Sequence, residues 1–507
     1  MSNGHARQLG QDAAAPMGTE IRRLLILAAP IIATMISRMA MGAIDFVMVS
    51  RLGTEATAAI SPSTLLVFTV IVLGMGMATC IQTFASQAVG RGEHAMAAAY
   101  ARHGFLFAGF FLLLAYPAAQ LVEPFWAMVG HPPEVQSLEV AYCETAFWCM
   151  GFSIVCASLD GFFNGVQRPG VGLISVVVSL AFNACANYAL IYGNWGFPEM
   201  GIRGAAVATV IAWGVRAGML TAVFLSRGFH QQYRTRTGWR IDGAKLRGIV
   251  RVGGPTSAQW VLDIGSWFVF LTLLMPEFGT TTSAASNIGL QYMHFSFMPA
   301  IGICIALCSL VGHAIGEGRP DLAQRRAKAC MLVSGAYMGA VGLVFWLARY
   351  PLMGLFSSDP EVIRVGAGVL VWAAVFQVFD ALGMTYMNAL RGAGDTRWPA
   401  VAVALHCWVI FIMGGYLVSR YVPSLGYHGP WMMCTAYIIL LGLVLRWRFL
   451  SGAWRKIDLF GDRKENPSAD TAASRSASVD AEAVISTPAS VSMQLEKPDT
   501  ARFGCSE

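Results

Sequence analysis

Gln-Ala-Val-Gly-Arg-Gly at positions 87–92 returns about 225 residues later as His-Ala-Ile-Gly-Glu-Gly at positions 313–318. Self-similarity at a fixed period is the sequence signature of a repeated structural unit. The chain is therefore predicted to contain two halves that share one topology. Other stretches recur at the same distance: Ala-Pro (29–30) with Gly-Pro (254–255), Pro-Pro-Glu-Val (132–135) with Asp-Pro-Glu-Val (359–362), and Gly-Ile-Arg-Gly (201–204) with Gly-Tyr-His-Gly (426–429).

Both halves consist of apolar segments long enough to cross a bilayer. Of the 507 residues, 56% are apolar and only 13% are charged, whereas soluble proteins carry roughly 25% charged residues. Backbone groups in lipid must bond internally, and these segments lack the alternation of barrel strands, so each is predicted to be a helix. Twelve spans can be marked, at about 24–49, 58–85, 102–122, 137–162, 171–193, 205–226, 249–275, 284–312, 329–349, 363–388, 399–420 and 430–450.

An even number of spans in each half makes the two halves parallel, related by an axis along the membrane normal. We therefore expect an all-α integral membrane protein, with twelve transmembrane helices in two pseudo-two-fold related six-helix lobes around a central cavity. The alternative is that the duplication reflects ancestry alone. The predicted segments are a polar N-terminus (1–20), an N-lobe (21–226), a basic linker (227–248), a C-lobe (249–450) and a disordered tail rich in Ser, Ala, Asp and Thr (465–507).

Lysine and arginine residues concentrate in the loops on one side of the predicted bundle. Seven of them lie between residues 227 and 251, whereas the opposite loops hold only Arg51, Arg203, Arg349, Arg364 and Arg420. This asymmetry predicts that both termini are cytoplasmic. The net charge of +6 is thus explained by topology, and we expect the bilayer and small organic solutes as partners and no nucleic acid.

Three carboxylates within the predicted spans carry the argument: Asp45, Asp263 and Asp380. An ionisable side chain at this depth costs roughly several kcal/mol, so it is expected to face a cavity and to have a function. The alternative is a carboxylate held by a structural partner. Asn183 and Asn187 are one helical turn apart and share a face, at the depth of Asp45. Oxygen ligands of this kind suit a hard cation or a proton, although amides also join helices by hydrogen bonds.

These residues stand in recognisable motifs. Asp45 lies in Ala-Ile-Asp-Phe-Val-Met-Val-Ser-Arg-Leu-Gly (43–53), and the two asparagines lie in Asn-Ala-Cys-Ala-Asn-Tyr-Ala-Leu-Ile-Tyr-Gly (183–193), which is followed by Gly-Ile-Arg-Gly-Ala-Ala-Val-Ala-Thr (201–209). With Gly-His-Ala-Ile-Gly-Glu-Gly (312–318) and Leu-Arg-Gly-Ala-Gly-Asp-Thr-Arg (390–397), they resemble the multidrug and toxic compound extrusion (MATE) family, most closely its bacterial NorM-like branch. The resemblance extends from about Arg22 to Leu450.

The resemblance implies export of organic, often cationic, compounds, driven by inward flow of Na⁺ or H⁺. It implies a monomer of the bacterial inner membrane that is not an enzyme and needs no cofactor besides the coupling ion. In that branch, the positions that match Asp45, Asp263 and Asp380 bind the coupling cation, although Asp263 stands where glutamate is usual. Na⁺ is therefore expected either at Asp45, Asn183 and Asn187 or at Asp263 and Asp380.

Three other classes of protein fit the sequence less well. A lipid-linked sugar flippase of the same superfamily would usually carry fourteen spans and a strongly basic cavity. An intramembrane enzyme needs a His-Glu-x-x-His, Gly-x-Ser-x-Gly or paired-aspartate motif, and the predicted spans contain none. A passive channel would need a repeated filter loop, which the sequence also lacks.

Arg38 departs from the branch, which usually has an uncharged polar residue at this position. A guanidinium cannot lose its charge, so Arg38 needs a nearby anion. Arg38 follows Pro30 by eight residues and Asp263 follows Pro255 by eight, so the repeat predicts a gate in which the two side chains pair across the cavity in at least one state. The alternative partner is Asp45, two turns further along the same helix, which would then be held in its charged form.

Overall fold

The computed structural model describes residues 16–461, and all regular secondary structure in this range is helical. Eleven of its helices are long and apolar enough to cross a membrane, and a bent pair adds a twelfth span. The spans, numbered 1 to 12 in chain order, are Met17–Ser50, Thr54–Gly90, His94–Gln120, the pair Pro133–Ala146 and Cys149–Gly165 (bent by 48°), Gly170–Tyr192, Gly201–Phe224, Gly243–Phe278, Thr280–Gly316, Pro320–Leu347, Pro360–Ala393, Arg397–Tyr421 and His428–Leu450. The predicted all-α fold class is confirmed.

The helices extend beyond the apolar segments at several ends. Span 1 begins at Met17, inside the predicted polar terminus, because Glu20 is buried there and accepts a hydrogen bond from Arg326 Nε at 3.1 Å. Within the predicted linker, residues Arg227–Tyr233 form a short helix, and span 7 already begins at Gly243 after the Asp242 cap. The predicted tail (465–507) lies outside the described residues.

Irregular features repeat between the two halves. A short helix follows span 3 (Val122–Val129) and another follows span 9 (Arg349–Gly354). A single 3₁₀ turn precedes span 6 (Asn194–Gly196) and another precedes span 12 (Pro423–Leu425). These minor elements occur at the same places in each half, so the repeat is one of three-dimensional structure as well as of sequence.

The lobes meet where glycines allow two backbones to approach closely. A Cβ atom on Gly76 of span 2 would lie 2.7 Å from Ser257 Cα of span 7, and one on Gly302 of span 8 would lie 3.0 Å from Ile32 Cα of span 1. These two crossings are equivalent in the repeat, since residues 32 and 76 correspond to residues 257 and 302. The interface between the lobes is therefore pseudo-two-fold symmetric.

A third crossing joins equivalent residues of spans 2 and 8. A Cβ atom on Gly90 would lie 2.9 Å from Gly316 Cα, at the face of the bundle where span 1 begins and span 12 ends, which we call the terminal face. Side chains of span 2 stabilise this contact by hydrogen bonds to the C-lobe. Gln82 Nε2 donates to the Ile305 carbonyl at 2.8 Å, and Gln87 Nε2 donates to the Gly392 carbonyl at 2.9 Å. The two lobes are thus closed against each other near the terminal face.

Candidate functional site: a cavity between the lobes and its charged residues

A cavity of about 650 Å³ lies between the lobes. Both lobes contribute to it, and its wall combines methionine and aromatic side chains with a few charged and amide groups. Its polar lining includes Arg38, Asp160 and Asn164 from the N-lobe and Gln259, Asp263, Asn388 and Arg391 from the C-lobe, and its apolar lining includes Met35, Met39, Phe68, Met75, Trp260, Met298, Met384 and Met387. Such a chamber suits organic molecules of varied shape, because methionine side chains adapt to their neighbours.

The structure brings Asp45, Asn183 and Asn187 together. Asn187 Nδ2 donates to Asp45 Oδ1 at 2.5 Å and lies 3.3 Å from Asn183 Oδ1, and both asparagines are fully buried. Thr209 Oγ1 donates to the other carboxylate oxygen, Oδ2, at 3.4 Å. Thr209 was not selected from the sequence, although it ends the 201–209 motif. Spans 1, 5 and 6 thus converge on one half-buried carboxylate.

The amide groups at this site do not form all of their possible hydrogen bonds with the described residues. Asn187 Oδ1 and Asn183 Nδ2 are buried and have no hydrogen-bond partner among residues 16–461. Turning the Asn187 amide by half a rotation would present an oxygen to Asp45 in place of the N–H group. The site would then offer carboxylate, amide and hydroxyl oxygens together, the donor set that a hard cation prefers.

A second carboxylate site lies in the C-lobe. Asp263 Oδ1 accepts hydrogen bonds from the Tyr437 hydroxyl at 3.4 Å and from Cys407 Sγ at 3.6 Å. Asp380 interacts electrostatically with Asp263, and its Oδ2 atom is buried with no hydrogen-bond partner in the described part of the chain. Two interacting carboxylates repel each other when both are charged, so a cation or a proton bound at this site relieves the repulsion.

The structure gives Arg38 a partner that the sequence analysis did not consider. Its Nη2 atom donates to Asp160 Oδ2 at 2.7 Å, so neither predicted partner is the one observed. Asp45 lies about 10 Å away along the helix axis, and its two oxygens accept from Asn187 and Thr209. Asp263 does line the same cavity as Arg38, but its bonded neighbours belong to spans 11 and 12.

Asp160 and Arg216 are the charged residues that sequence reasoning missed. Arg216 Nη2 also donates to Asp160 Oδ2, again at 2.7 Å, so one carboxylate oxygen joins two guanidinium groups. Both residues fall inside predicted spans, and their ionisable side chains at membrane depth were the signal that could have found them. The repeat did not draw attention to them because their counterparts, Met384 and Leu441, are uncharged.

Two related lobes of six spans around a cavity with embedded carboxylates are the architecture of a secondary transporter. The MatE family model matches residues 30–189 and 264–417, more than half of the chain. The chain therefore belongs to the MatE family, as the sequence motifs predicted, and it is a multi-pass membrane transporter and not an enzyme.

Individual relatives agree with this assignment. The chain is 31% identical over 441 residues to a probable multidrug resistance protein NorM of Rhizobium meliloti, covering 85% of this chain and 93% of the relative. It is 29% identical over 448 residues to a probable NorM of Thermotoga maritima, covering 86% and 94%. Among solved structures, the Vibrio cholerae MATE transporter VcmN in its bent form is similar with a TM-score of 0.78 at 18% identity, covering 87% of this chain and 98% of that one. The structural likeness supports the fold.

Proposed function

We propose that this protein exports organic, often cationic, compounds from the bacterial cytoplasm by antiport with Na⁺ or H⁺. The observation that carries the proposal is Asp263, a carboxylate that lines the cavity between the lobes and interacts with a second carboxylate, Asp380, whose Oδ2 atom is buried. A cationic substrate and the coupling cation therefore compete for Asp263, which is the minimal requirement for exchange. The NorM relatives are described as probable multidrug resistance proteins, which supports the substrate class.

The proposed location is the inner membrane, with both termini in the cytoplasm. The excess of lysine and arginine in the loops of the terminal face supports this orientation. The Gly90–Gly316 crossing then closes the cytoplasmic side of the cavity. Substrate entry requires these ends of spans 2 and 8 to separate, and release occurs when they meet.

The Asp45 site is the second candidate for the coupling ion. A proton on Asp45 Oδ2 can be donated to Thr209 Oγ1 once that hydroxyl turns its own hydrogen away, whereas Na⁺ requires the Asn187 amide to turn. Either ion removes the negative charge of Asp45 from the interface of spans 1, 5 and 6. We propose no other cofactor, no nucleic-acid partner and a monomer, since one chain supplies both walls of the cavity.

Uptake of the fluorescent cation ethidium into inverted membrane vesicles tests this function. Inverted vesicles expose the cytoplasmic side of the membrane, so export from cells corresponds to uptake into the vesicles. Either an imposed proton gradient or an imposed Na⁺ gradient should therefore drive accumulation of ethidium. Asp45→Asn and Asp380→Asn should each abolish the driven component, because an amide keeps the shape but loses the charge. Asp321→Asn is the matched control, since the Asp321 side chain is 90% exposed, and it should transport normally.

Each result has a clear reading. Accumulation with one gradient and not the other identifies the coupling ion. Wild-type rates in Asp45→Asn or Asp380→Asn would remove that residue from the coupling sites, and the absence of gradient-driven uptake by wild-type protein would refute the proposed function.

A further inference from the structure

A cluster of three charged residues in the N-lobe takes no part in the proposed cation coupling. It consists of Arg38 on span 1, Asp160 on span 4 and Arg216 on span 6, and we call it the arginine cluster. Both guanidinium groups donate to the same oxygen, Asp160 Oδ2, at 2.7 Å each. Two permanent positive charges thus share one negative charge, and the cluster carries a net charge of +1 inside the membrane.

The hydrogen-bonding capacity of the arginine cluster is also unbalanced. Arg38 Nε, Arg216 Nε and Arg216 Nη1 are buried without a hydrogen-bond partner within residues 16–461, and so is Asp160 Oδ1. Arg216 is 1% exposed and packs over the Trp213 ring at 5.6 Å. A buried charge is normally matched by an opposite charge and by hydrogen bonds. The cluster therefore lacks one anion and acceptors for its spare N–H groups.

Arg38 connects the cluster to the cavity. Arg38 and Asp160 both line the chamber, and 27% of the Arg38 side chain is exposed, whereas Arg216 lies behind them. Arg216 fixes Asp160, and Asp160 fixes one end of the Arg38 guanidinium. This arrangement leaves a preorganised donor group facing a chamber whose other walls are rich in methionine and aromatic side chains.

We propose that Arg38 is an anion-recognition site of the substrate cavity, and that the transporter accepts organic anions in which a carboxylate or sulfonate is attached to an apolar body. The acidic group binds Arg38 Nη1, the guanidinium nitrogen that is neither buried nor bonded to Asp160, and supplies the missing negative charge. The apolar body lies among the methionine and aromatic side chains of the chamber. Asp160 and Arg216 are positioning residues. This inference rests on the proposed function only in taking the cavity as the substrate site.

Paired probes that differ in one charge test the site. Dansylglycine and its uncharged amide, dansylglycinamide, share an aromatic body, and their binding to the purified full-length protein in lipid nanodiscs can be followed by dansyl fluorescence. A hydrogen bond to a charged group predicts that the wild-type protein binds the acid more tightly than the amide by roughly tenfold or more. Equal affinities of wild-type protein for the two probes would overturn the proposal without any mutation.

Arg38→Gln should remove the preference for the acid. This variant leaves the neutral pair of Arg216 and Asp160, so its fold should be retained, and ethidium should bind it more tightly because a repulsive charge has gone. Arg38→Lys should keep part of the preference, since it keeps the charge without the planar fork. Arg391→Gln is the matched control, because Arg391 also lines the cavity but donates to the Thr79 carbonyl, outside the cluster.

The remaining outcomes separate this inference from the proposed function. If Arg391→Gln abolishes the preference as completely as Arg38→Gln does, the anion responds to the general potential of the cavity, and the Arg38 site is refuted. If ethidium uptake is driven by a gradient while the two dansyl probes bind equally, the transport function stands and the anion site fails. If the acid is preferred but no gradient drives ethidium, the anion site stands and the proposed cation antiport fails.

Discussion

Removing the carboxylate of the arginine cluster should destabilise the protein more than removing Arg38, the arginine of the cluster that lines the cavity. Asp160→Asn leaves two guanidinium groups, the half-buried Arg38 and the buried Arg216, with no negative charge between them. Breaking a buried ion pair on one side costs about 3–5 kcal/mol, because a charge is left uncompensated. Arg38→Gln instead leaves a neutral pair and loses one hydrogen bond, which predicts a cost of about 1 kcal/mol.

The double variant gives the sharper prediction, because the sign of one effect reverses. In the wild-type background Arg38→Gln is mildly destabilising, but in the Asp160→Asn background it removes one of two repelling charges and should raise stability. Arg38→Gln should have the same effect with or without Asp263→Asn or Asp45→Asn, since neither carboxylate bonds to Arg38. Non-additivity between two residues is the measure of their coupling.

Thermal unfolding can be followed by a dye that fluoresces on reacting with thiols. Nine of the ten cysteines in the described part of the chain are buried, so the dye reacts as the fold opens. Asp321→Asn, the same chemical change at an exposed position, should leave the midpoint unchanged. A wild-type midpoint for Asp160→Asn, or coupling of Arg38 to Asp263 in place of Asp160, would refute this account of the cluster.

Three further predictions concern a buried ion pair, the C-terminal tail and the contact between spans 2 and 8. Glu20→Gln should lower the thermal midpoint clearly, since it leaves Arg326, only 5% exposed, without its ion pair. Glu361→Gln removes a carboxylate from an exposed ion pair and should leave the midpoint unchanged. Equal midpoints for the two variants would contradict the prediction. Deleting the chain after Glu465 should leave ethidium uptake unchanged, and lost uptake at normal expression would mean that the tail is regulatory. Gly316→Ala should impair ethidium uptake, because its methyl group would meet the Gly90 Cα at 2.9 Å. Gly42→Ala, whose methyl group would have nothing within 4 Å, should leave uptake unchanged. Normal uptake by Gly316→Ala would show that transport does not need the close contact between spans 2 and 8.

The fold could be predicted because the bilayer leaves few alternatives. Each apolar segment had to be a helix, and the repeat between residues 87–92 and 313–318 fixed two halves of equal topology. The ends of the helices were harder to predict, because hydropathy treats a polar residue as the end of a span. Glu20 shows the limit of that rule: it is buried at 2% exposure, since Arg326 on span 9 supplies the opposite charge.

The candidate sites were predictable only where the relevant residues share a helix or a motif. Asn183 and Asn187 are one turn apart, so their common face followed from spacing, and the depth of Asp45 placed it beside them. The partner of Arg38 could not be obtained in this way. Its choice among Asp45, Asp160 and Asp263 depends on how spans 1, 4 and 7 are rotated and packed, and residue spacing does not determine rotation between helices.

The two lobes keep their symmetry where they touch and lose part of it where they face the cavity. Glycines 76 and 302, and glycines 90 and 316, occupy equivalent positions because both lobes need the same close approach. Arg38 and Asp263 also occupy equivalent positions and line the same chamber, yet they carry opposite charges. At this pair of equivalent positions, one lobe therefore presents a positive group to the cavity and the other lobe a negative group. A cavity of this kind selects ligands by the position of their charge as well as by its sign, because a cation beside Asp263 and an anion beside Arg38 each meet a group of opposite charge.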